Sequence, residues 1–277
     1  MLRPIDFHSL DDALPVLARG FPARSHAAWT ASLQRLRQYG RSDPGRTAGY
    51  MLEAKGRDVG VLLAIPGAAT GAPVVNLSSW YVDPEHRFKA PRMLQQIVGS
   101  DTTLFTDLTP TPQVRTMIGR FGFRTWTDGI VLFALPWFAL KSAKHSHVLP
   151  LHEIPADAFA PAVQTLLDDH AALDCIACAL WDGHSLHPLI FSRTRRRGLP
   201  LARLVYADDL ALVNTHIAAI SRHLLRERVI VLAVNGNRNE RARGTIFTEH
   251  PSPAYFKGDR APGPRDLAYS EYVFLQV

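Results

Sequence analysis

A run of β-forming residues ends at a proline and is followed by a cluster of basic side chains. The run covers Val74 to Val82, and Pro84 stops it because proline cannot donate to a strand ladder. The basic turn then leads into a helix predicted from about Ala90 to Val98. A turn of this kind directs unpaired backbone amides and positive charge to one point. The segment therefore suits a diphosphate group.

The same segment resembles the acyl-CoA-binding core of the GCN5-related N-acetyltransferases (GNAT). The family pattern is Val-x-Pro-x-x-Arg/Gln-x-x-Gly-x-Gly/Ala, and Val82, Pro84 and Arg87 fall on its first three fixed positions. Ala90 stands where the first glycine is expected, and Arg92 stands where the second small residue belongs. A side chain at either place can block close approach of the backbone, although Arg92 could itself bind phosphate.

A second match to the family lies downstream. Thr106 to Pro110 ends the next predicted strand, and Phe121-Gly122-Phe123 closes the following helix, so that the resemblance covers residues 1–140. It implies acetyl-CoA or another acyl-CoA as co-substrate, with an acyl carrier protein as the less favoured donor and no metal. The main chain of Val82 would bind pantetheine, and the amides from about Phe88 to Arg92 would hold the diphosphate. The cofactor-binding residues that the resemblance implies are Tyr81, Val82, Arg87, Phe88, Lys89, Ala90 and Arg92.

The proton-transfer groups are the point at which the sequence departs from the family. Many GNAT enzymes carry a tyrosine four residues before the glycine of the Gly-Phe pair, and here that position is Ile118. Tyr81 could replace it, or could serve only in packing. Glu53 and Asp107 are candidate bases because an amine must lose a proton near the strand ends, although either could be an ordinary surface residue. The candidate catalytic residues are therefore Glu53, Tyr81 and Asp107.

The resemblance implies direct transfer of an acyl group from acyl-CoA to an amine or hydroxyl within a ternary complex. This mechanism needs no covalent serine, and Ser78 and Ser79 lack the Gly-x-Ser-x-Gly pattern of a nucleophile elbow. In a regular strand, Asn76, Ser78 and Trp80 share one face, which could line the acceptor pocket. The alternative is a non-catalytic GNAT-like module that binds CoA or a protein partner, which the missing tyrosine and glycines favour.

The charge balance favours anionic partners, since the formal net charge is +6 at pH 7. The densest basic cluster, Arg193, Arg195, Arg196 and Arg197, directly precedes Gly198, and we interpret it as a solvated hairpin turn. Nucleic-acid binding is the alternative, but the cluster lacks the interleaved aromatic residues typical of such surfaces. We expect a small-molecule or peptide acceptor, no nucleic-acid partner, and a chain that could form a homodimer.

Two cysteines, Cys175 and Cys178, lie three residues apart in an apolar segment. Neither a zinc site nor a redox motif fits this context, so the sequence predicts buried thiols in a reducing cytoplasm. The N-terminus does not read as a signal peptide. The longest apolar run, Gly129 to Leu140, is shorter than the roughly 20 residues that span a bilayer. These observations predict a cytoplasmic protein without a transmembrane segment.

Length and element order predict two modules, since 277 residues are many for one core. A polar, basic stretch at 141–147 is the predicted linker between a GNAT-like acyl-CoA-binding domain, 1–140, and a second, degenerate GNAT-like domain, 148–277. The first module reads β-α-α-β-β-β-α-β-α-β, and the second repeats this order less clearly. The predicted fold class is α/β with mixed sheets, namely two GNAT-like modules, each a mixed, centrally splayed sheet flanked by helices.

Three predicted elements bear on the module boundary and on the second module. Arg124 to Leu135 is predicted as the last strand or strand pair of the first module. Helices are predicted between Ala156 and Leu180. The C-terminal stretch Leu267 to Val277 alternates in polarity like an edge strand.

Overall fold

The computed structural model describes residues 1–67, 73–99, 102–143, 145–196, 198–249 and 253–276. The chain divides into two compact units. The first holds Met1–Trp126, Ser252–Pro262 and Tyr269–Leu275, and the second holds Thr127–Pro251, Gly263–Ala268 and Gln276–Val277. Within the described residues, each unit contains a mixed seven-stranded sheet flanked by helices, as predicted.

The sheet of the first unit has the strand order β1-β2-β3-β4-β5-β14-β6. β1 to β4 form an antiparallel meander, β5 lies parallel to β4, and β14 lies antiparallel to β5. The strands are β1 (Leu2–Asp6), β2 (Thr47–Ala54), β3 (Arg57–Pro66), β4 (Val74–Val82), β5 (Leu104–Asp107), β6 (Arg124–Thr127) and β14 (Ala254–Lys257).

Four α-helices of the first unit precede β6, and two of them are extended by 3₁₀ turns. They are α1 (Leu14–Gly20), α2 (His26–Tyr39), α3 (Ala90–Ile97) and α4 (Pro112–Arg115). The 3₁₀ turns Leu10–Ala13 and Pro84–Lys89 lead directly into α1 and α3, and a third covers Ile118–Phe121. α2 is capped at its N-terminus by Ser25, whose side chain accepts a hydrogen bond from the Ala28 amide at 3.2 Å.

The second unit repeats this plan. Its sheet has the order β13-β7-β12-β11-β10-β9-β8, in which β8 to β11 form an antiparallel meander and β12 lies parallel to β11. The strands are β7 (Gly129–Ala134), β8 (His147–Pro150), β9 (Ile176–Trp181), β10 (Leu186–Arg196), β11 (Leu199–Tyr206), β12 (Val231–Gly236) and β13 (Ile246–Thr248). The helices are α5 (Leu135–Ala139), α6 (Pro161–Ala172), α7 (Leu210–Thr215) and α8 (Ile217–Arg226).

The chain divides at a different place from the predicted 1–140, 141–147 and 148–277. β6 and β7, predicted as one strand or a pair in the first module, belong to different sheets, because β7 pairs with β12 from Gly129 to Ala134. Conversely, β14 lies beyond the predicted boundary but pairs with β5 of the first unit. The first sheet therefore includes a strand, β14, from near the C-terminal end of the sequence.

Two further predictions for the second half are corrected or confirmed by the ladders. The helices predicted up to Leu180 end at Ala172, because the apolar residues that follow form the buried strand β9. The basic cluster lies at the β10–β11 hairpin as predicted, with Arg196 paired to Leu199; Arg197 lies outside the described residues. Neither cysteine forms a disulfide in the described part of the chain. Cys178 is buried in β9 as predicted, whereas Cys175 is only partly buried.

The C-terminal stretch is a buried helical segment of the first unit, so the predicted edge strand is wrong. After the 3₁₀ turn Pro264–Leu267, the short helix α9 (Glu271–Phe274) is buried at every position. Tyr269 stacks on Tyr39 of α2 with ring centroids 4.4 Å apart, and its carbonyl accepts from the Asn76 amide at 3.3 Å. The alternating sequence pattern does not lead to an edge strand here, because every position of α9 is buried and none faces solvent.

No helix in the described part of the chain is long and apolar enough to cross a membrane.

Tyr272 tests whether this C-terminal segment holds the first unit together. Its ring is buried, and its hydroxyl lies 3.4 Å from the Leu108 carbonyl oxygen. We expect Tyr272→Ala to lower the free energy of unfolding by about 3–5 kcal/mol, because it removes a buried aromatic ring. Tyr272→Phe, which keeps the ring, should cost only about 0.5–1.5 kcal/mol. Urea unfolding measures both, and equal effects of the two variants would contradict this role for the ring.

Candidate functional site

Strand β4 separates from its parallel neighbour halfway along its length. Pairing runs from Val74 with Leu104 to Leu77 with Asp107, where β5 ends, while β4 continues to Val82. Beyond Leu77, the backbone groups of β4 that face β5 therefore have no partner in that strand. The sheet has a gap at the carboxyl end of its parallel pair, which is where α/β sheets commonly place ligands.

A β-bulge bends β4 at this gap. Against β3, Ser78 pairs with Leu63 and Tyr81 pairs with Val61, so three steps along β4 face two along β3. Ser79 takes up the extra residue with φ +54°, a left-handed conformation that is uncommon for a side-chain-bearing residue. A bulge bends the strand that carries it and increases its local twist. It thereby turns the end of β4 away from the line of β5.

The gap opens into a cleft of about 310 Å³. Its lining comes from the end of α1, the end of β4, the start of α3 and the segment around α4. The residues are Gly20, Phe21, Trp80, Tyr81, Val82, Arg87, Ala90, Pro91, Thr111, Gln113, Val114 and Met117. The walls are mainly apolar, and the lining described includes one charged side chain, Arg87. Such a channel suits a slender chain with an anionic end.

The bulge also determines which side chains of β4 lie on each face of the sheet. Trp80 and Val82 pack with Leu77 in the core formed with α3 and α4. Tyr81 points the other way, to the end of α1. The predicted common face of Asn76, Ser78 and Trp80 is therefore wrong, since the extra residue at the bulge reverses the alternation. The cleft is lined from both faces of the sheet.

Tyr81 is held at the cleft by an ion pair and by a close backbone approach. Arg19 donates to both oxygens of Asp83, at 2.8 and 3.0 Å, and the Asp83 carboxylate lies near the Tyr81 hydroxyl. The ring covers Gly20, where an added Cβ would lie 2.4 Å from it. Burial, followed by the influence of the nearby Asp83 carboxylate, raises the pKa of Tyr81. Its hydroxyl is therefore protonated at neutral pH and can act as an acid.

The turn between β4 and α3 offers fewer free amides than the sequence suggested. Pro84–Lys89 is a 3₁₀ helix, whose amides bond carbonyls three residues earlier. The Ala90 amide donates to the Arg87 carbonyl, and Pro91 has no N–H. The amides predicted from Phe88 to Arg92 are therefore largely engaged or missing. Attraction for an anion depends on side chains here.

The predicted cofactor-binding residues divide between two sides of this turn. Tyr81, Val82, Arg87 and Ala90 line the cleft. The others, Phe88, Lys89 and Arg92, line a separate groove of about 580 Å³ with Met1, Leu2, Leu52, Met93 and Gln96. Neither Phe88 nor Arg92 fills the cleft. In the described part of the chain, Arg87, Lys89 and Arg92 form no ion pair.

The remaining catalytic candidates lie elsewhere. Glu53 is near the end of β2, where it pairs with Asp58 of β3 beside the hairpin turn. Ile118, at the position of the family's tyrosine, is buried in the core. The lining of the cleft that sequence reasoning missed comes from Phe21 and from Thr111 to Met117. The Pro112 start of α4, directly after a strand, was the available signal.

Asp107 is buried at the end of β5 beside another acid. Thr109 bonds Glu271 of α9 through its hydroxyl, and Glu271 is fully buried. Burial raises the pKa of Asp107 well above its usual range, and the Glu271 charge adds to this, while the Thr109 amide opposes it. The raised pKa favours the protonated form of this carboxyl relative to that of an exposed aspartate. Asp107 also lies outside the lining of the cleft, so it is not placed to act as a base there.

The second unit contains a similar gap with the opposite charge. β11 pairs with β12 only from Leu201 to Arg203, and its register against β10 also shifts near Tyr206. The turn that follows carries Asp208 and Asp209 in place of basic residues. Asp208 accepts from Arg265 at 2.7 Å. An acidic turn repels a diphosphate, so the first unit offers the better anion site.

His187 of the second unit superficially resembles the base of a serine nucleophile. Its Nε2 lies 2.9 Å from the Ser185 hydroxyl, and its Nδ1 lies 3.1 Å from Asp208. However, Nε2 also lies 3.1 Å from Asp182, so both ring nitrogens face carboxylates. In a serine–histidine pair the Nε2 atom faces the serine alone, so an Nε2 shared between Ser185 and Asp182 does not match that arrangement. Among the described residues, no cluster of His, Cys, Asp and Glu could hold a metal.

Solved structures with the same fold include GCN5-related N-acetyltransferases. The enzyme from Anabaena variabilis matches with a TM-score of 0.58 and 12% identity, over 92% of this chain and 72% of that chain. One from Kribbella flavida matches with a TM-score of 0.51 and 14% identity, over 92% and 70%. Eis1 from Mycobacterium abscessus matches at 0.50 and 13%, over 93% and 73%. No protein-family model and no curated protein matches the sequence. The chain has a GNAT fold.

Asp107 gives a test of the buried acid pair. A carboxyl whose pKa is raised in the folded state stabilises the fold below its unfolded pKa of about 3.9, and that contribution is lost as pH rises toward the folded pKa. We therefore expect Asp107→Asn, which cannot ionise, to raise the melting temperature at pH 8 and to have little effect at pH 4. Melting curves across this range provide the measurement, with exposed Asp157→Asn as control. A variant less stable than the parent at pH 8 would contradict the shift.

Proposed function

Proceeding from the GNAT fold, we propose that the first unit is an acyltransferase. It transfers an acyl group, acetyl in the simplest case, from acyl-CoA to an amine or hydroxyl acceptor by direct attack within a ternary complex. The observation that carries the proposal is the gap between β4 and β5, which forms a mainly apolar cleft with Arg87 at its border. Pantetheine fits the apolar walls, and Arg87 attracts the phosphates.

The cleft supplies two elements of the reaction. The acceptor nitrogen or oxygen bonds to the thioester carbon, the carbon–sulfur bond breaks, and the thiolate takes up a proton. Backbone N–H groups of β4 beyond Leu77 that face the gap can stabilise the oxyanion that forms. Tyr81 lies on the lining and is protonated, so we assign it as the proton donor to the thiolate.

The acceptor proton goes to water in this proposal. The described lining of the cleft contains no carboxylate and no imidazole, and neither Glu53 nor Asp107 belongs to it. The enzyme would therefore act mainly by positioning the two reactants and by stabilising charge. A role for the second unit in shaping the acceptor site, a homodimer, a cytoplasmic location and the lack of a nucleic-acid partner stay predictions.

The second candidate is a module of the same fold that binds CoA or a protein without turnover. The burial of Ile118 at the tyrosine position and the lack of a base on the cleft favour it. Calorimetry with acetyl-CoA and longer acyl-CoAs, followed by thiol-release assays over a panel of amines and alcohols, separates the two. Binding without thiol release would support the non-catalytic module. If no acyl-CoA binds, the cleft is not a CoA site, and both the acyltransferase and the CoA-binding module are ruled out.

Arg87 is the residue on which donor binding depends in this proposal. We expect Arg87→Ala to weaken acetyl-CoA binding about tenfold or more, the effect of removing charge-assisted hydrogen bonds to phosphate. Arg41→Ala, which removes an exposed arginine elsewhere in the first unit, is the matched control and should bind normally. Isothermal titration calorimetry measures both. Equal affinities for the parent and Arg87→Ala would show that the donor binds elsewhere.

Tyr81 separates chemistry from binding. Tyr81→Phe keeps the ring over Gly20 but removes the hydroxyl, so acetyl-CoA affinity should stay close to the parent value. We expect kcat to fall by about a hundredfold or more, the usual effect of losing a general acid. Thiol-release kinetics with the best acceptor provide kcat. An unchanged kcat would leave the hydroxyl with a packing role only.

A further inference from the structure

The outer side of the β4–α3 turn carries an exposed aromatic ring among unpaired cations. Phe88 is 76% exposed, with the Lys89 ammonium 5.9 Å from its ring centroid. Arg92 follows one helical turn later and is also exposed. We call Phe88, Lys89, Arg92 and the groove they line the basic–aromatic face. A large exposed ring costs free energy in water unless something covers it, so this face is a candidate docking surface.

The groove beneath this face is apolar at its floor and positive at its rim. Leu2, Leu52 and Met93 supply apolar surface, while Lys89 and Arg92 supply positive charge. The described lining of the groove contains no acidic residue. Its partner should therefore be acidic and should carry an apolar side chain that enters the groove.

The basic–aromatic face lies next to the cleft, which indicates a partner that also reaches the cleft. Residues of the same turn alternate between the two hollows, since Arg87 and Ala90 line the cleft while Phe88, Lys89 and Arg92 line the groove. A partner seated in the groove would thus lie beside the cleft entrance. The turn also lacks the free amides that would surround a diphosphate, because Ala90 is bonded to Arg87 and Pro91 has no N–H. Side-chain cations suit a single phosphodiester and carboxylates equally well.

From these observations, and resting on the proposed function, we infer that the basic–aromatic face docks a small acidic carrier protein that presents the acyl group on a phosphopantetheine arm. The carrier's carboxylates would contact Lys89 and Arg92, an apolar side chain would enter the groove, and the arm would pass Arg87 into the cleft. The bonds and protons of this reaction balance. The acyl carbon–sulfur bond breaks, the bond to the acceptor nitrogen forms, the amine loses its proton to water, and the thiolate that stays on the arm takes a proton from Tyr81.

A carrier protein explains the surface better than two alternatives. An anionic membrane would contact Lys89 and Arg92, but a concave groove of about 580 Å³ receives a protruding side chain rather than a flat surface. The nucleotide of CoA could also meet these cations. It does not account for an apolar floor of three side chains beneath an exposed phenylalanine. Both alternatives predict different results in the following experiment.

Dissociation constants separate the possibilities when one set of variants is compared across four probes. The probes are a purified acidic acyl carrier protein in its acetyl-phosphopantetheine form, the same carrier without the arm, acetyl-CoA, and vesicles of phosphatidylserine and phosphatidylcholine. The variants are Phe88→Ala and Arg92→Glu, both at exposed positions where folding should be unaffected. The matched controls are Trp137→Ala, which removes another aromatic ring that is 62% exposed, and Arg41→Glu.

We expect the acetyl-carrier to bind more tightly than the armless carrier, and each face variant to weaken carrier binding about tenfold, as for a central interface residue. Acetyl-CoA affinity should be unchanged in these variants, and the controls should match the parent protein. Raising NaCl from about 0.05 to about 0.5 M should weaken carrier binding more than acetyl-CoA binding, because surface charges are screened.

Three outcomes would overturn the inference while leaving the proposed function intact: no carrier binding by a protein that binds acetyl-CoA, an equal loss of acetyl-CoA affinity in Phe88→Ala and Arg92→Glu, or vesicle binding that these variants abolish. If neither acetyl-CoA nor the acetyl-carrier binds, the proposed function itself fails.

Discussion

The first unit depends on one interruption of its sheet, the place where β4 bends away from β5. Four residue pairs hold the strands in parallel, and then the bulge at Ser79 changes both the direction of β4 and the faces to which its side chains point. A regular strand would continue beside β5 and leave no gap. It would also turn Trp80 away from the core that contains α3 and α4. With the bulge, Trp80 and Val82 remain in that core while Tyr81 reaches the end of α1. The cleft and its lining follow from this single irregularity.

The chain keeps the GNAT fold, with its gap between β4 and β5, although its residues after β4 differ from the family's phosphate-binding pattern. Glycines in the family pattern let a ligand approach the backbone closely, whereas this chain has Ala90, Pro91 and Arg92 at the start of α3. A 3₁₀ helix fills the turn and uses its amides internally. Positive side chains then carry the attraction that amides would otherwise provide, and side chains reach further from the backbone. The anionic group can therefore be part of something larger than a coenzyme, which is the basis of the docking surface.

Much of this was accessible from the sequence, for identifiable reasons. Strong local signals placed β4 and the β10–β11 hairpin, because proline and turn residues act within a few positions. The family resemblance gave the central splaying of the sheet. What the sequence did not reveal depends on distant pairing. β14 joins β5 across more than a hundred residues, and α9 is buried by α2 although its own pattern resembles a strand. The bulge is also invisible locally, since Ser79 is an ordinary residue in a β-forming run.

The two units share a backbone plan but differ in the charge of the turn that follows the fourth strand of each sheet. Both have a four-stranded meander, a fifth strand parallel to the fourth, and a register shift near the end of that fourth strand. What differs is the turn that follows: Arg87 and Lys89 in one unit, Asp208 and Asp209 in the other. Asp208 is already engaged by an ion pair with Arg265 and by a polar contact with His187, so the second turn is held by internal interactions. The cations of the first turn have no such partners among the described residues, so their charge is available to an anionic ligand. A shared backbone plan thus supplies the gap twice, and side-chain charge decides which gap suits an acyl donor.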